Sequence, residues 1–372
     1  MLERYLNSPV KQDLQKKMVF IGGPRQVGKT VFSCHLFSNK YQSRYFNWDD
    51  DEDRERILNR QWPRQKGLIV FDEIHKYRRW RQIIKGLYDK YKEKYRILVT
   101  GSARLDYYRF GGDSLQGRYH YYRLHPFSFA ELGCSSQKEL ESLFFLTGFP
   151  EPFLEGKMSE LKRWAREYRT RLIREDLRDL EHVSEIGRIE QLMIRLPELV
   201  GSPISLNSLR EDLQVSQPTV ARWCDILERL YAIFRVSPFG APKIRAVKKE
   251  QKHYHFDWSV VKDEGARFEN LVACHLLKWV HFEQDTKGRE LDLRYFRDID
   301  GREVDFVITE DNCPLLFIES KISDGPITKG LKYLKERFSQ AEAWQISLRG
   351  QKDYQCDDIR VVPATVFLKT LC

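Results

Sequence analysis

The sequence predicts an α/β protein with a parallel sheet in its first part, helices in its middle and a second α/β unit at its end. Three observations lead there. Apolar strand-like runs at Met18–Ile21, Arg44–Asn47, Gly67–Phe71, Arg96–Thr100 and Tyr119–Leu124 alternate with polar or helical stretches, and strands separated by helices pair in parallel. The first run leads directly into a glycine-rich loop, Gly23 to Thr30. Near the other end, an amphipathic helix over Phe268–Trp279 precedes strands at Leu291–Arg297, Arg302–Thr309 and Leu315–Ile322, with Asp300-Gly301 predicting a two-residue type I′ hairpin.

Composition narrows the class. With 41% hydrophobic and 13% aromatic residues, the 372-residue chain carries enough apolar surface to fold into several compact cores, which excludes a disordered protein. It contains no apolar run of the roughly 18 residues that a membrane helix needs, and Met1–Lys17 is too charged for a signal peptide, so the expected setting is cytoplasmic. Seven cysteines without a C-x-x-C pair argue against a disulfide framework or zinc knuckle. The net charge of +9 biases the chain toward polyanions.

The loop Gly23-Pro24-Arg25-Gln26-Val27-Gly28-Lys29-Thr30 fits G-x-x-x-x-G-K-[ST]. Its glycines let peptide N–H groups wrap phosphate oxygens; Lys29 would reach the β and γ phosphates, and Thr30 would ligate Mg²⁺. The apolar run Leu68–Phe71 ends in Asp72 and Glu73, placing two acids at the carboxyl end of a buried strand. Asp72 is the candidate Mg²⁺ ligand and Glu73 the group that polarises water. After the next strand, Ser102 and Arg104 are candidates for sensing the γ phosphate, and Arg118 is a candidate charge-stabilising arginine, acting in its own chain or on a neighbouring subunit. His75 reads as a loop cap, and the tyrosines at 107, 108, 119, 121 and 122 read mainly as strand packing.

These motifs, in the order GPRQVGKT, LIVFDEIHK (68–76), TGSA (100–103), SLQGR (114–118) and LHPFSFAE (124–131), resemble the AAA-type P-loop ATPases of bacteria and archaea that carry a C-terminal domain with a restriction-endonuclease-like fold. The likeness extends over nearly the whole chain. It implies an ATP-binding P-loop NTPase core over 1–130, a helical lid or connector over 131–200, a winged helix over 201–260 and a nuclease-like domain over 261–372. It also leaves room for a homo-oligomer formed through the ATPase domain.

In the third segment, a short helix over Ile204–Leu213, capped by Ser205 or Asn207, and a turn at Gln214-Val215-Ser216 lead into a second helix capped by Ser216. Val220, Trp223, Ile226, Leu227 and Leu230 form its apolar face, while Gln217, Thr219 and Arg222 near its start suit a DNA groove. The basic stretch Lys243–Lys249 sits where a wing would be. His253 and His255 alternate on a strand and read as a satisfied structural pair.

In the last segment, strand periodicity puts Glu319 and Lys321 on one face, with Asp305 on the neighbouring strand and Glu269 on the preceding helix. The order helix-Glu, strand-Asp, strand-Glu-x-Lys resembles the PD-(D/E)xK nuclease superfamily. There, Asp305 and Glu319 would hold Mg²⁺, Lys321 would activate water and Glu269 would support the metal. The sequence therefore predicts an ATPase that couples nucleotide state to DNA binding and Mg²⁺-dependent DNA cleavage. Its alternative is a non-cleaving ATP-dependent switch or regulator whose last domain only binds nucleic acid or a partner.

Overall fold

The structure, a computed structural model, describes residues 2–36, 43–101, 105, 115–173, 185–240 and 251–372. The chain divides into two compact units, Met1–Pro126 and Phe127–Cys372, each with its own sheet.

In the first unit, helix α1 (Asn7–Asp13) precedes strand β1 (Met18–Gly22), which runs through the glycine-rich loop into α2 (Lys29–His35). Then follow β2 (Ser43–Asn47), α3 (Asp51–Leu58), β3 (Gly67–Asp72), α4 (Trp80–Tyr91), β4 (Tyr95–Thr100) and β5 (Tyr119–Arg123). The sheet order is β2-β3-β4-β1-β5, and every pairing is parallel. All residues of β1 and β3 are buried, as expected for parallel strands covered on both faces. One core packs Phe20, Phe71 and Ile97 against Trp80, Ile84 and Leu87 of α4. Asp50 caps α3 by accepting from the Asp53 N–H, and three acids in the first turn complement the helix dipole. Because β1 sits inside the sheet while the chain leaves it toward β2 at one edge, a crevice forms at its carboxyl end, where parallel α/β sheets hold ligands.

The second unit opens with α5 (Gln137–Leu146), α6 (Pro150–Glu155), α7 (Met158–Arg171) and α8 (Ile186–Arg195). A capping box between Ser136 and Glu139 starts α5, and α7 buries Leu161, Trp164 and Tyr168. Helices α9 (Leu206–Leu213) and α10 (Gln217–Arg229) begin at Ser205 and Ser216, whose hydroxyls accept from Ser208 N–H and Thr219 N–H. The five apolar residues expected on the inner face of α10 are all buried. An antiparallel pair follows, β6 (Ile233–Pro238) with β7 (Lys252–His255). The basic stretch Lys243–Lys249 lies outside the described residues, as do Tyr107 and Tyr108.

The rest comprises α11 (Glu264–Lys287), β8 (Leu291–Arg297), β9 (Glu303–Glu310), β10 (Cys313–Lys321), α12 (Lys329–Arg337), β11 (Glu342–Ser347), β12 (Tyr354–Cys356), β13 (Ile359–Pro363) and α13 (Ala364–Leu368). The sheet runs β12-β13-β11-β10-β9-β8-β6-β7, so β6 and β7 continue the sheet of the last segment. One expectation is corrected here. Between β8 and β9 only Gly301 takes a positive φ, so the connection is not a two-residue type I′ turn. It is a longer loop in which the Asp298 carboxylate accepts from the Asp300 and Arg302 N–H groups. That side chain does locally what two left-handed residues would otherwise do.

Candidate functional site

The first candidate site lies at the carboxyl end of β1. Gly23 adopts φ 134°, and a Cβ there would fall 2.3 Å from the Leu124 carbonyl oxygen, so only glycine lets the loop pass this strand end. Gly28, at φ 92°, starts α2. Val27 is fully buried, and its carbonyl accepts from Arg4, whose other nitrogen donates to the His125 carbonyl. Arg4 thereby ties the loop to the end of the sheet. The buried Lys29 ammonium donates to the Gly23 (3.0 Å) and Pro24 (2.6 Å) carbonyls, folded across the loop it would serve.

Asp72 is the hub of the site. Only 7% exposed, it accepts from the hydroxyls of Thr30 (2.8 Å), Tyr45 (2.6 Å) and Thr100 (2.7 Å), which come from α2, β2 and β4. The pairing of a Thr30 hydroxyl with a carboxylate is an all-oxygen donor set of the kind Mg²⁺ prefers, so these residues fit the ion. Glu73 follows at φ 55°, a left-handed conformation costly for a residue with a side chain, and its N–H donates to the Thr100 carbonyl. Burial, opposed by Lys29 and reinforced by Asp72, raises the Glu73 carboxyl to about 7. His75 is buried, with Nε2 3.4 Å from Glu73 and its ring against Gly101.

Arg118 is placed elsewhere. It precedes β5 at the end where Met18 pairs with Tyr119, the edge of the sheet opposite the glycine-rich loop, and its guanidinium donates to Asp89. Five strand residues at about 3.3 Å each separate it from the phosphate end, so it does not serve its own chain's phosphate loop. Ser102 and Arg104 lie outside the described residues. Tyr119 stacks on Phe20 at 4.2 Å, and Tyr121 and Tyr122 are buried, as strand packing requires.

The second candidate site lies on the large sheet. Register pairs Ile318 with Phe306, which sets Asp305 opposite Glu319 on the same face. Asp305 accepts from the Ser320 N–H (2.9 Å) and hydroxyl (2.6 Å), its own N–H donates to Glu319, and Lys321 donates to Glu319 at 2.7 Å. Burial first and Asp305 next raise Glu319 to about 8, and the same two causes raise Glu269 to about 7. Glu269 accepts from Tyr254 (2.6 Å) and from the buried Lys252 ammonium (3.2 Å), which also pairs with Glu303 at 2.6 Å. Burial opposes the charge on Lys252, but Glu269, Asp305 and Glu303 outweigh it and hold the ammonium above its usual range.

Glu319, Lys321 and Asp305 thus converge as the strand period predicts, while Glu269 is held by Lys252 and Tyr254 beside them. Among the described residues, no group of three or more His, Cys, Asp or Glu side chains is arranged to hold a metal ion. Sequence reasoning missed Tyr45, Thr100, Arg4, Lys252 and Tyr254. Thr100 could have been found as the last residue of the strand beside Asp72. The others come together only through tertiary packing.

Comparison with known proteins agrees with the first unit. Residues 15–133 match a family model described as an AAA domain, which supports an AAA-type ATPase in this part of the chain. Residues 137–263 and 264–367 match two domains of unknown function, DUF8612 and DUF4143. An uncharacterized protein of Mycobacterium tuberculosis is 23% identical over 319 residues, covering 80% of this chain and 71% of that one. One from Haemophilus influenzae is 22% identical over 354 residues, covering 82% of each. Among solved structures, the Walker-type ATPase PABY2304 of Pyrococcus abyssi is 14% identical with a TM-score of 0.47, covering 72% of this chain and 96% of that one. The Aeropyrum pernix ORC1 protein in complex with DNA is 12% identical with a TM-score of 0.37, covering 73% and 93%. No helix among the described residues is long and apolar enough to cross a membrane.

Proposed function

We propose that the chain is an Mg²⁺-dependent ATPase that couples its nucleotide state to DNA binding, and that its last segment cleaves DNA. The observation that carries the first part is Asp72, which holds Thr30 and Thr100 on one carboxylate at the mouth of the glycine-rich loop, with Glu73 beside it. Bound there, Mg²⁺ would neutralise charge on the phosphates. Thr30 and Asp72 would hold it, and Lys29 would leave the Gly23 and Pro24 carbonyls for the phosphate oxygens. Glu73, poised to about 7, would take the proton of the attacking water. Arg118 would act on a neighbouring subunit within a homo-oligomer, exchanging Asp89 for the γ phosphate.

The cleavage reading rests on Asp305, Glu319 and Lys321 sharing one face. Mg²⁺ would polarise the scissile phosphate; Asp305 and Glu319 would hold it, Glu269 would support them, and Lys321 would orient the attacking water. In this reading α9, α10, β6 and β7 form a winged helix presenting Gln217, Thr219 and Arg222 to DNA. A second reading, a non-cleaving ATP switch, is favoured by the ammonium groups of Lys252 and Lys321, which already answer the acids. Cleavage assays with Mg²⁺ on single-stranded, duplex and branched DNA separate the two. Cutting lost in Lys321→Ala and Glu319→Gln supports cleavage; cutting that survives Lys321→Ala refutes the assignment, and no cutting by the intact protein selects the switch.

A further inference from the structure

His253 and His255 share a face of β7, their rings 5.6 Å apart, and each keeps one buried ring nitrogen without a hydrogen-bond partner. His253 Nε2 lies 2.9 Å from the Leu196 carbonyl oxygen; its unpaired nitrogen is Nδ1, and His253 lines no part of the cavity that His255 borders. His255 is 5% exposed, and its Nε2 has no hydrogen-bond partner. A buried polar atom left unpaired is costly and calls for an explanation. This residue lines a cavity of ≈ 610 Å³ in the second unit, bordered by α7, by α8 with the Leu196–Leu199 turn, and by the start of α11.

We propose that this cavity binds a nucleotide unit, with its phosphate on a row of α7 cations and its base in the cleft against His255. Lys162, Arg166 and Arg169 recur at i, i+4 and i+7, so they form one stripe on α7, and Lys262 joins them in lining the same space. None of the four has a carboxylate partner among the described residues. The acids of the lining are engaged instead: Glu198 by Arg195, Asp263 by the Ala266 N–H, and Asp257 by Ser259. Four cations thus line the opening with three acids, of which Glu198 is paired with Arg195 outside the lining, so the opening keeps a net positive charge, as an anion site requires.

The rest of the lining selects among anions. Leu172, Met193, Pro197 and Val260 give an apolar wall, and Ile194 on it stays 59% exposed. Inorganic phosphate would leave that wall and His255 unmet; a fatty acid would leave His255 unmet. Burial, reinforced by His253 and opposed by a Leu196 backbone hydrogen bond, keeps the His255 imidazole neutral, so its unpaired Nε2 can serve as donor or acceptor, by tautomer, to the edge of a base. The volume falls within the range of roughly 300–1,000 Å³ typical of small-molecule sites. The unit can arrive as a free nucleotide or as part of a single-stranded nucleic acid, since both present the same chemistry. None of these residues belongs to the P-loop or to the Asp305 cluster, so the inference stands whether or not the chain cuts DNA.

The test is fluorescence anisotropy of labelled oligothymidine with the full chain, in chelator and without ATP. The double reversal Arg166→Glu, Arg169→Glu alters two exposed residues and leaves the core intact. Binding by the intact protein is expected to weaken at least about tenfold in the double variant, and its salt slope to fall by about 1.4, two contacts at about 0.7 each. His255→Leu should weaken binding severalfold with the slope unchanged, while ATP hydrolysis is retained in both variants. Full displacement by thymidine 5′-monophosphate identifies a free nucleotide as sufficient; displacement only by unlabelled oligothymidine identifies the polymer as the source. Failure of both probes to bind, or binding and slope unaltered by the double reversal, overturns the proposal.

Discussion

Asp72 and Glu73 are adjacent in the chain and do different things. Asp72 is fixed by three hydroxyls, whereas Glu73 sits in a left-handed conformation with a carboxyl raised to about 7, the environment of a group meant to exchange a proton near neutral pH. Thr100→Val should leave one Asp72 oxygen short of a donor and destabilise the first unit by about 1–3 kcal/mol in urea unfolding; an unchanged midpoint would show that the hydroxyl is not needed. Glu319 yields a pH prediction. Folding raises it from 4.5 to about 8, so over that interval the folded chain keeps a proton that the unfolded chain has released. Its contribution to stability is complete below 4.5 and is lost as pH rises through about 8. Glu319→Gln cannot ionise, so in chelator its stability relative to the intact protein should rise between about pH 5 and about pH 9. A difference that is flat with pH would contradict the assigned environment. At this scale the sequence was legible where chemistry and spacing coincide, as at Lys29, Thr30, Asp72, Glu319 and Lys321. Tyr45 and Lys252 were not legible, because a tyrosine or lysine in a strand carries no sign of which carboxylate it will meet.

Among elements, the loop between β1 and α2 depends on one backbone approach. Gly23→Ala would place a methyl 2.3 Å from the Leu124 carbonyl oxygen at φ 134°. It should cost about 2 kcal/mol or more in the first unit and abolish ATP binding measured by calorimetry; tight binding in the variant would show that the loop is not held in this form. Gly201, at φ 82°, has Glu269 Oε2 2.9 Å from where its Cβ would stand. Gly201→Ala should therefore destabilise the second unit by about 1–2 kcal/mol, read as a lower urea midpoint. The strands of the first unit could be read within one residue, most plainly β1 and β3, which are fully buried, nearly continuous apolar runs. The turn at Asp300-Gly301 could not, because Asp298 supplies the hydrogen bonds that the dipeptide alone was expected to arrange. Beyond Ile322, the strands β11 and β12 lacked a clear period, since β12 is wholly exposed and β11 mixes Gln345 into a buried face.

For the whole molecule, the first unit matches an AAA domain over most of its length, and the second carries an acid–lysine cluster and a cation-lined cavity on separate residues. The parallel sheet and its phosphate loop were readable because one motif and one strand pattern specify both. The continuity of β6 and β7 with the last sheet was not, since the parallel pairing of Ser237 with Arg294 joins residues far apart in the chain. The most direct measurement of the central claim is ATP turnover with Mg²⁺ by the intact protein and by Glu73→Gln, together with ATP affinity for both. The account predicts that the variant binds ATP as the intact protein does and loses turnover by about 10²–10⁴-fold. Turnover by Glu73→Gln at the intact protein's rate would contradict it.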